Sequence, residues 1–142
     1  MDLTELNDFG HRYARAWCSQ DPDSVAAFFS EGGSLSVNDN APAVGREEIA
    51  KVAQGFMTDF PDMRVSMDEI ETQSQRSVFR WTLTGTNTGP GGTGGRVQIS
   101  GYEVWTLGPG GLIAESKGHY DAAEYERQIR YGFDGGPTPP RS

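Results

Sequence analysis

Residues 96–121 read RVQISGYEVWTLGPGGLIAESKGHYD and decide the fold, because they predict two extended strands joined by a tight turn. Side chains of a strand alternate between its two faces. In the first strand, one face is apolar except for one carboxylate and carries Val97, Ile99, Gly101, Glu103, Trp105 and Leu107. The other face carries Gln98, Ser100, Tyr102, Val104 and Thr106. The alternation therefore predicts that Glu103 points into the core.

A buried carboxylate is unusual enough to be a candidate functional group. In an apolar surrounding it must be paired, hydrogen-bonded, or kept protonated by a raised pKa. Perturbed acids of this kind gather at functional sites, although structural pairs give the same pattern. We expect Glu103 to have a raised pKa and a hydrogen-bonding partner.

The rest of the chain predicts helices first and strands afterwards. The predicted helices span Asp2–Cys18, Asp21–Gly32, Arg46–Phe60 and Asp121–Gly132. The second of these helices is expected to bury Val25, Phe28 and Phe29. The predicted strands span Gly33–Val37, Met63–Thr72, Ser77–Thr88, Arg96–Leu107 and Leu112–Tyr120. This order is typical of an α+β fold in which helices cover one face of a curved, mostly antiparallel sheet.

We predict a single domain at residues 1–132, followed by a disordered tail at residues 133–142 that is rich in glycine and proline. A chain of 142 residues is long enough to bury a substantial core. It begins MDLTELND, which does not have the pattern of a signal peptide, and no apolar run reaches membrane-spanning length.

The composition argues against several classes of partner. The net charge is −8 without a basic cluster, so we expect neither nucleic acid nor an anionic membrane as a partner. The single cysteine, Cys18, excludes an internal disulfide and a multi-cysteine metal site, and it predicts a reducing compartment such as the cytoplasm.

Two apparent motifs do not predict a cofactor site. Residues 89–94, GPGGTG, match the dinucleotide fingerprint, but predicted strands flank them on both sides where that fingerprint needs a following helix. His11 and His119 are too far apart for a helical metal pair. Asp121, with Glu124 three residues later, is typical of a helix cap. We expect no metal and no cofactor.

Four segments resemble one family when they are taken together. They are residues 60–62 (FPD), 80–89 (RWTLTGTNTG), 101–105 (GYEVW) and 111–113 (GLI). They resemble the SnoaL-like polyketide cyclases of the nuclear transport factor 2 superfamily, to which the ketosteroid isomerases are related. The resemblance covers about Leu6 to Gly132 and implies a cone-shaped α+β roll with a small-molecule pocket.

The resemblance also implies roles for single residues. Glu103 falls at a pocket histidine of the cyclases and at a protonated aspartic acid of the isomerases, and Tyr13 falls at the tyrosine that pairs with this acid. The two base positions of these enzymes fall on Val37 and Gly118, so neither base is present. Asp39, close to position 37, is the candidate general base, with His119 less favoured.

Two functional hypotheses follow from these residues. In the first, the protein is a cofactor-free cyclase, isomerase or lyase in which Tyr13 and Glu103 stabilise an enolate and Asp39 moves the proton. In the second, it is a binding protein for a small apolar molecule. In both, the predicted pocket walls are Trp17, Phe56, Phe60, Trp81, Trp105 and Tyr120. A third hypothesis, an epoxide hydrolase, would require Arg80 to face inward against its strand parity.

The sheet is also expected to form a dimer contact. Its outer face, defined here by Thr82, Thr84, Tyr102, Val104 and Thr106, is more apolar than solvent exposure favours. Such a face commonly meets a second copy by two-fold symmetry, so we predict a homodimer.

Overall fold

The computed structural model describes residues 2–134 and has helices on one face of a six-stranded sheet. The helices are α1 (Leu3–Cys18), α2 (Pro22–Ala26), α3 (Arg46–Asp59) and α4 (Ala122–Tyr131). The strands are β1 (Phe29–Val37), β2 (Ala43–Val44), β3 (Arg64–Gln73), β4 (Arg76–Thr86), β5 (Arg96–Leu107) and β6 (Ile113–Tyr120). The strand order is β2-β1-β6-β5-β4-β3, and the sheet remains open. The predicted α+β roll is confirmed.

One pair of strands departs from the antiparallel pattern. β1 runs parallel to β6, and every other neighbouring pair is antiparallel. The parallel pair joins the segment after α2 to the last strand of the chain. It therefore ties the N-terminal helices to the centre of the sheet.

Helix α1 begins and packs as its sequence predicts. Asp2 and Glu5 form a capping box, in which each side chain accepts a hydrogen bond from the other residue's backbone N–H. One stripe of the helix is buried against the sheet and includes Leu6, Phe9, Tyr13 and Trp17. This stripe places the Tyr13 ring in the centre of the core, where no part of it is exposed.

The predicted alternation of β5 and β4 is confirmed. Val97, Ile99, Glu103 and Trp105 are buried, whereas Tyr102 on the opposite face is 38% exposed. On β4, Phe79 and Leu83 are buried on the same side of the sheet. The side chain of Arg80 lies on the outer face, where it pairs with Glu69 and Glu71 of β3.

The predicted second helix is wrong beyond Ala26. Phe29 begins strand β1, and it pairs in parallel with Ile113. The carbonyl of Phe28 accepts a hydrogen bond from Ile113 N, and the carbonyl of Phe29 accepts one from Arg46 Nε. These long-range bonds satisfy backbone groups that a longer helix would have used, so tertiary pairing overrides the local pattern. The two-residue strand β2 was also not predicted.

Residues 87–95 form the loop between β4 and β5, as the flanking strands predict. The Asn87 side chain accepts a hydrogen bond from Thr93 N, and the Thr93 hydroxyl donates to the carbonyl of Ile129 in α4. On β5, Gln98 N donates to the buried Gln128 side chain of the same helix. The loop and the edge of β5 thus hold α4 against the sheet.

The predicted tail is described only at its start. Phe133 N donates to the carbonyl of Arg96, and Asp134 forms an ion pair with the Arg96 guanidinium. Residues 135–142 lie outside the described residues. Between residues 2 and 134, no helix has the length and apolar character needed to cross a membrane.

Candidate functional site

A cavity lies between the helices and the inner face of the sheet, and one carboxyl side chain lines it. Its volume is about 60 Å³. The lining residues are Trp17, Leu35, Val37, Phe56, Val65, Phe79, Trp81, Leu83, Ile99, Glu103, Gly118, Tyr120 and Tyr125. We call it the Glu103 cavity. Its walls are almost entirely apolar, which is typical of a small-molecule site with few polar groups.

The two oxygens of Glu103 have different surroundings. Oε1 accepts three hydrogen bonds: from the Tyr13 hydroxyl at 2.9 Å, from Trp105 Nε1 at 2.9 Å and from the Ser116 hydroxyl at 2.7 Å. None of these three donor residues lines the cavity. No hydrogen bond joins Oε2 to another residue in the described part of the chain. Oε2 is therefore the oxygen available to a molecule in the cavity.

Burial and the same contacts act on the pKa of Glu103 in opposite directions. Burial raises its pKa above the ordinary value, and the hydrogen bonds from Trp105, Ser116 and Tyr13 offset part of this rise. Because Oε1 already accepts three hydrogen bonds, the proton of the neutral acid belongs on Oε2. In that state Glu103 presents an O–H donor to the cavity.

Tyr13 holds Glu103 in place and stays neutral. Burial, and next the Glu103 charge, raise the pKa of its hydroxyl well above the ordinary value, and the nearby Trp17 indole N–H partly offsets this. The Tyr13 ring packs edge-on against Phe79 and Trp105, which stack on each other at 5.0 Å. This aromatic cluster fixes the donors around Oε1 and leaves the carboxyl few other positions.

Two indole donors of the cavity wall have no acceptor. Trp17 Nε1 and Trp81 Nε1 are both buried without a hydrogen-bond partner among residues 2–134. The Trp17 N–H faces the Tyr13 hydroxyl, but that contact lacks the geometry of a hydrogen bond. A buried donor without a partner costs about 1–3 kcal/mol.

The remaining polar groups of the wall are phenols. Tyr120 and Tyr125 pack edge-on at 5.4 Å, and Tyr120 also contacts the Trp81 ring at 6.1 Å. Burial raises the pKa of both hydroxyls, so they are uncharged at neutral pH. Among the described residues that line the cavity there is no histidine, no lysine and no carboxyl group besides Glu103.

The structure brings together some of the predicted site residues and separates others. Trp17, Phe56, Trp81 and Tyr120 line the cavity with Glu103, as expected for walls. Phe60 and Trp105 were expected there too, but neither is among the lining residues. Phe60 packs over Gly85 and towards Tyr125, and Trp105 lies behind Glu103 as a donor to Oε1.

Asp39, the candidate base, does not reach the cavity. It is exposed and lines a surface depression together with His119 and Asp121. Its neighbour Asn38 is in the left-handed region at φ 53°, and the Asn38 side chain accepts a hydrogen bond from Tyr120 N. This turn, anchored to β6, directs Asp39 towards solvent. Asp121 accepts a hydrogen bond from Glu124 N, which confirms the predicted cap.

Ser116 and Tyr125 belong to the site although they were not predicted there. Ser116 lies on β6 and shares its inward strand parity with Gly118 and Tyr120, so the alternation contained this signal. Tyr125 lies four residues after the cap of α4, on the face that meets Phe60 and Tyr120. The described residues include no group of three or more acidic, histidine or cysteine side chains arranged to hold a metal ion.

Comparison with known proteins gives one family and several structures of the same fold. A sequence model of the SnoaL-like domain matches residues 11–116. A protein with a ketosteroid isomerase-like fold from Catenulispora acidiphila, in complex with trimethylamine, is 15% identical with a TM-score of 0.76, over 86% of this chain and 92% of that one. No curated protein sequence matches.

Two further structures show a comparable degree of similarity to this chain. The epoxide hydrolase/cyclase-like enzyme SalBIII, described in pyran ring formation in the polyether salinomycin, is 17% identical with a TM-score of 0.72, over 86% of this chain and 95% of that one. A nuclear transport factor 2-like protein from Burkholderia pseudomallei is 20% identical with a TM-score of 0.73, over 87% and 95%. At sequence identities this low, the similarity to these structures shows a shared fold and nothing further.

Proposed function

Since the chain belongs to the SnoaL-like domain family, we propose that it binds one compact, mainly apolar molecule in the Glu103 cavity and that Glu103 forms a hydrogen bond to it. The observation that supports this proposal is that the two carboxyl oxygens of Glu103 differ in their hydrogen bonding. Oε1 accepts three hydrogen bonds from protein donors, and Oε2, next to an apolar cavity, has no hydrogen-bond partner among the described residues. A buried polar group of this kind is stabilised by a ligand that completes its hydrogen bonding.

The size of the cavity limits the ligand. A water molecule needs about 10–15 Å³ of such volume, so 60 Å³ suits about four to six non-hydrogen atoms. Pockets for drug-sized molecules are usually about 300–1,000 Å³.

The test is a titration followed through side chains of the cavity wall. Methyl resonances of Leu35, Leu83 and Ile99 report on occupancy in protein labelled at leucine and isoleucine. We expect compact ketones and ethers to shift these methyls saturably in the wild type, and Glu103→Leu to lose most of the effect. Glu115→Gln changes a carboxylate on the outer face of β6 and is the matched control. Methyl shifts that are absent, or unchanged in Glu103→Leu, would contradict the proposal.

A second candidate function is cofactor-free acid–base catalysis by a cyclase, isomerase or lyase on a carbonyl compound. The contact between Tyr13 and Glu103, whose pKa is raised by burial, favours it, because the protonated form of such an acid can stabilise a developing enolate oxygen, an effect of about 3–4 kcal/mol per donor. Tyr13 would act as a positioning residue, because its hydroxyl contacts Glu103 and Tyr13 itself does not line the cavity. The proton acceptor is the missing part, because Asp39 is exposed.

Deuterium exchange separates the two candidates. An enzyme of this class removes a proton from the carbon next to a carbonyl and returns a solvent proton, so 2-butanone in D₂O would gain deuterium at those carbons. Catalysis predicts exchange above the buffer rate that falls in Glu103→Gln. Exchange at the buffer rate in the wild type would rule out this chemistry for that ketone and favour the binding function.

A further inference from the structure

The Glu103 carboxyl is open to the cavity through one of its oxygens. Glu103 lines the cavity and keeps 7% of its surface exposed. Within residues 2–134, the unpartnered polar side-chain atoms that are closed to water are Trp17 Nε1, Ser30 Oγ and Trp81 Nε1. Glu103 Oε2 also lacks a hydrogen-bond partner there, but it is not one of these closed atoms. A small molecule in the cavity can therefore reach Oε2.

The charges at the cavity are all negative. Among the described residues that line it, Glu103 is the one charged type, and no lysine, arginine or histidine is present. Burial and then the charge of Glu126 raise the pKa of the Tyr120 hydroxyl. Burial also raises the pKa of Tyr125, and the charges of Asp59 and Glu126 add to the effect. Two further carboxylates thus lie near the phenols of the wall, and this field favours a positive ligand over a negative one.

We propose that the ligand of the Glu103 cavity is a small alkylammonium ion, a protonated amine of about five non-hydrogen atoms, whose N–H donates to Glu103 Oε2. Where Glu103 is protonated before binding, its proton is released to solvent. The neutral acid and the ammonium ion then become a carboxylate–ammonium pair and one free proton. This inference rests on the proposed binding function and adds the chemical class of the ligand.

The surroundings of Oε1 prepare Glu103 for this pair. Burial opposes its ionised form, whereas the hydrogen bonds from Trp105, Ser116 and Tyr13 favour that form. An ammonium ion at Oε2 supplies the missing positive charge and lowers the pKa of the acid. A hydrogen bond between two charged groups is roughly twice as strong as one between neutral groups. The site should therefore prefer an amine to a neutral molecule of the same shape.

The cavity wall suits the alkyl part of such an ion. Besides Glu103 and Gly118, the lining consists of five aliphatic and six aromatic side chains. An alkylammonium ion buries its carbon atoms against them and needs a polar partner at nitrogen only. Aromatic walls also attract alkylammonium ions through the charge distribution of their rings. A Mg²⁺ or Ca²⁺ ion would need about six oxygen ligands, and the lining supplies a single carboxyl group.

The experiment compares diethylamine with diethyl ether, two five-atom probes that differ in N against O. Each is titrated up to about 0.1 M at constant ionic strength, because molecules this small bind weakly. The methyl resonances of Leu35, Leu83 and Ile99 report binding from pH 5 to 8. Diethylamine stays protonated in this range, as the lysine ammonium does with a pKa of about 10.4. Glu103→Gln removes the charge and keeps the shape, and Glu115→Gln on the outer face is the matched control.

The two probes should respond to pH in opposite directions. Below the pKa of Glu103, the affinity for diethylamine should fall by up to about tenfold per pH unit, because the carboxyl must release its proton. The ether accepts a hydrogen bond from the protonated carboxyl, so its binding should weaken as pH rises. Among the described residues, the other titratable groups that contact Glu103 or line the cavity are Tyr13, Tyr120 and Tyr125, all with raised pKa values. They stay neutral throughout, and Asp59 and Glu126 lie near the latter two.

At pH 8 we expect diethylamine to bind the wild type about tenfold more tightly than the ether does. Glu103→Gln should weaken the amine about tenfold and the ether less than about threefold, and Glu115→Gln should change neither. Equal affinity for both probes, or amine binding that weakens as pH rises from 5 to 8, would overturn the ammonium ligand. Saturable binding of the ether would still support the binding function in that case. If neither probe moves the methyls, the binding function itself fails. The pH profiles of the wild type decide the matter without any variant.

Discussion

At the scale of single residues, Glu103 combines burial with an incomplete set of hydrogen bonds. Its raised pKa means that the folded protein holds this proton at pH values where the unfolded chain has released it. Between the ordinary carboxyl pKa and the raised one, the folded state binds more protons. The free energy of unfolding therefore decreases as pH rises through that window. Below the window, the contribution of Glu103 to stability is fully present.

Glu103→Gln should remove this pH dependence, because the amide keeps the shape and does not titrate. In urea denaturation from pH 5 to 8, the wild type should lose stability with rising pH by up to about 1.4 kcal/mol per pH unit relative to Glu103→Gln. The two proteins should be closest in stability at the acidic end. Parallel stability curves for both proteins would mean that Glu103 titrates as it does in water.

Tyr13→Phe should be destabilising although it removes only one oxygen. Oε1 loses one of its three donors in a fully buried setting, and we expect a loss of about 1–2 kcal/mol at pH 7. Tyr131→Phe, at a residue that is 49% exposed, is the matched control and should change little. In Glu103→Leu the effect of Tyr13→Phe should differ from that in the wild type, and additive effects would contradict a direct interaction.

Part of this site could be predicted from sequence. The period of two in β5 directs Glu103 inward, and the resemblance of the first helix points to Tyr13 as its partner. The three-donor arrangement could not be predicted, since it depends on how β5 and β6 are aligned past the irregular step at Thr106 and Leu107. Asp39 was placed near the pocket by its sequence position, but the turn at Asn38 directs it outward.

At the scale of elements, α4 is held by close backbone contacts with the loop before β5. A Cβ atom on Gly95 would lie 2.4 Å from the carbonyl oxygen of Ile129 and 2.5 Å from that of Gln128. Backbone atoms cannot move aside as the end of a flexible side chain can. The position of α4, and with it that of Tyr125 in the cavity wall, therefore depends on a glycine at position 95.

Gly95→Ala should displace α4 and destabilise the protein by about 1–3 kcal/mol. Gly55→Ala is the contrasting control, because Gly55 is exposed in α3 with nothing within 4 Å of the added carbon. That change should stabilise the protein by about 0.5–1 kcal/mol through helix propensity. Thermal unfolding of both variants checks the pair. A neutral Gly95→Ala would contradict the importance of this contact.

Elements were easier to predict from sequence than their ends. Apolar periodicity located α1, α3, β4 and β5 because each buries one clear face. The sequence predicts a helix through Phe28 to Gly32, because two adjacent aromatics suit either structure. Only the partner strand β6, more than eighty residues later, determines that Phe29 is extended.

At the scale of the whole molecule, the outer face remains the predicted surface for a second copy. Tyr102 stacks on His119 at 5.0 Å, and the Arg80 guanidinium lies 5.8 Å from the Tyr102 ring centroid. Val104 lies on the same face, paired across β5 and β6 with Lys117. An aromatic and aliphatic centre with charges around it is typical of interfaces.

Light scattering at micromolar protein should give twice the chain mass of 15.5 kDa. Val104→Arg should shift the protein to the single-chain mass, because it places a charge beside Lys117 in the centre of this face. Val44→Arg, at a residue of β2 that is 59% exposed, is the matched control and should leave the mass unchanged. A single-chain mass for the wild type would contradict the predicted homodimer.

The parallel pairing of β1 with β6 has a consequence for how the chain is made. It joins Leu35 to Ser116, and the Tyr13–Glu103 bond spans 90 positions of sequence. Contacts this distant form slowly because the intervening chain must first be ordered. During synthesis, the apolar face of α1 leaves the ribosome long before β4 and β5, which contact it through Phe79 and Trp105. Glu103 should therefore remain hydrated in nascent chains that stop before β6 and lose that water only once β6 has been made.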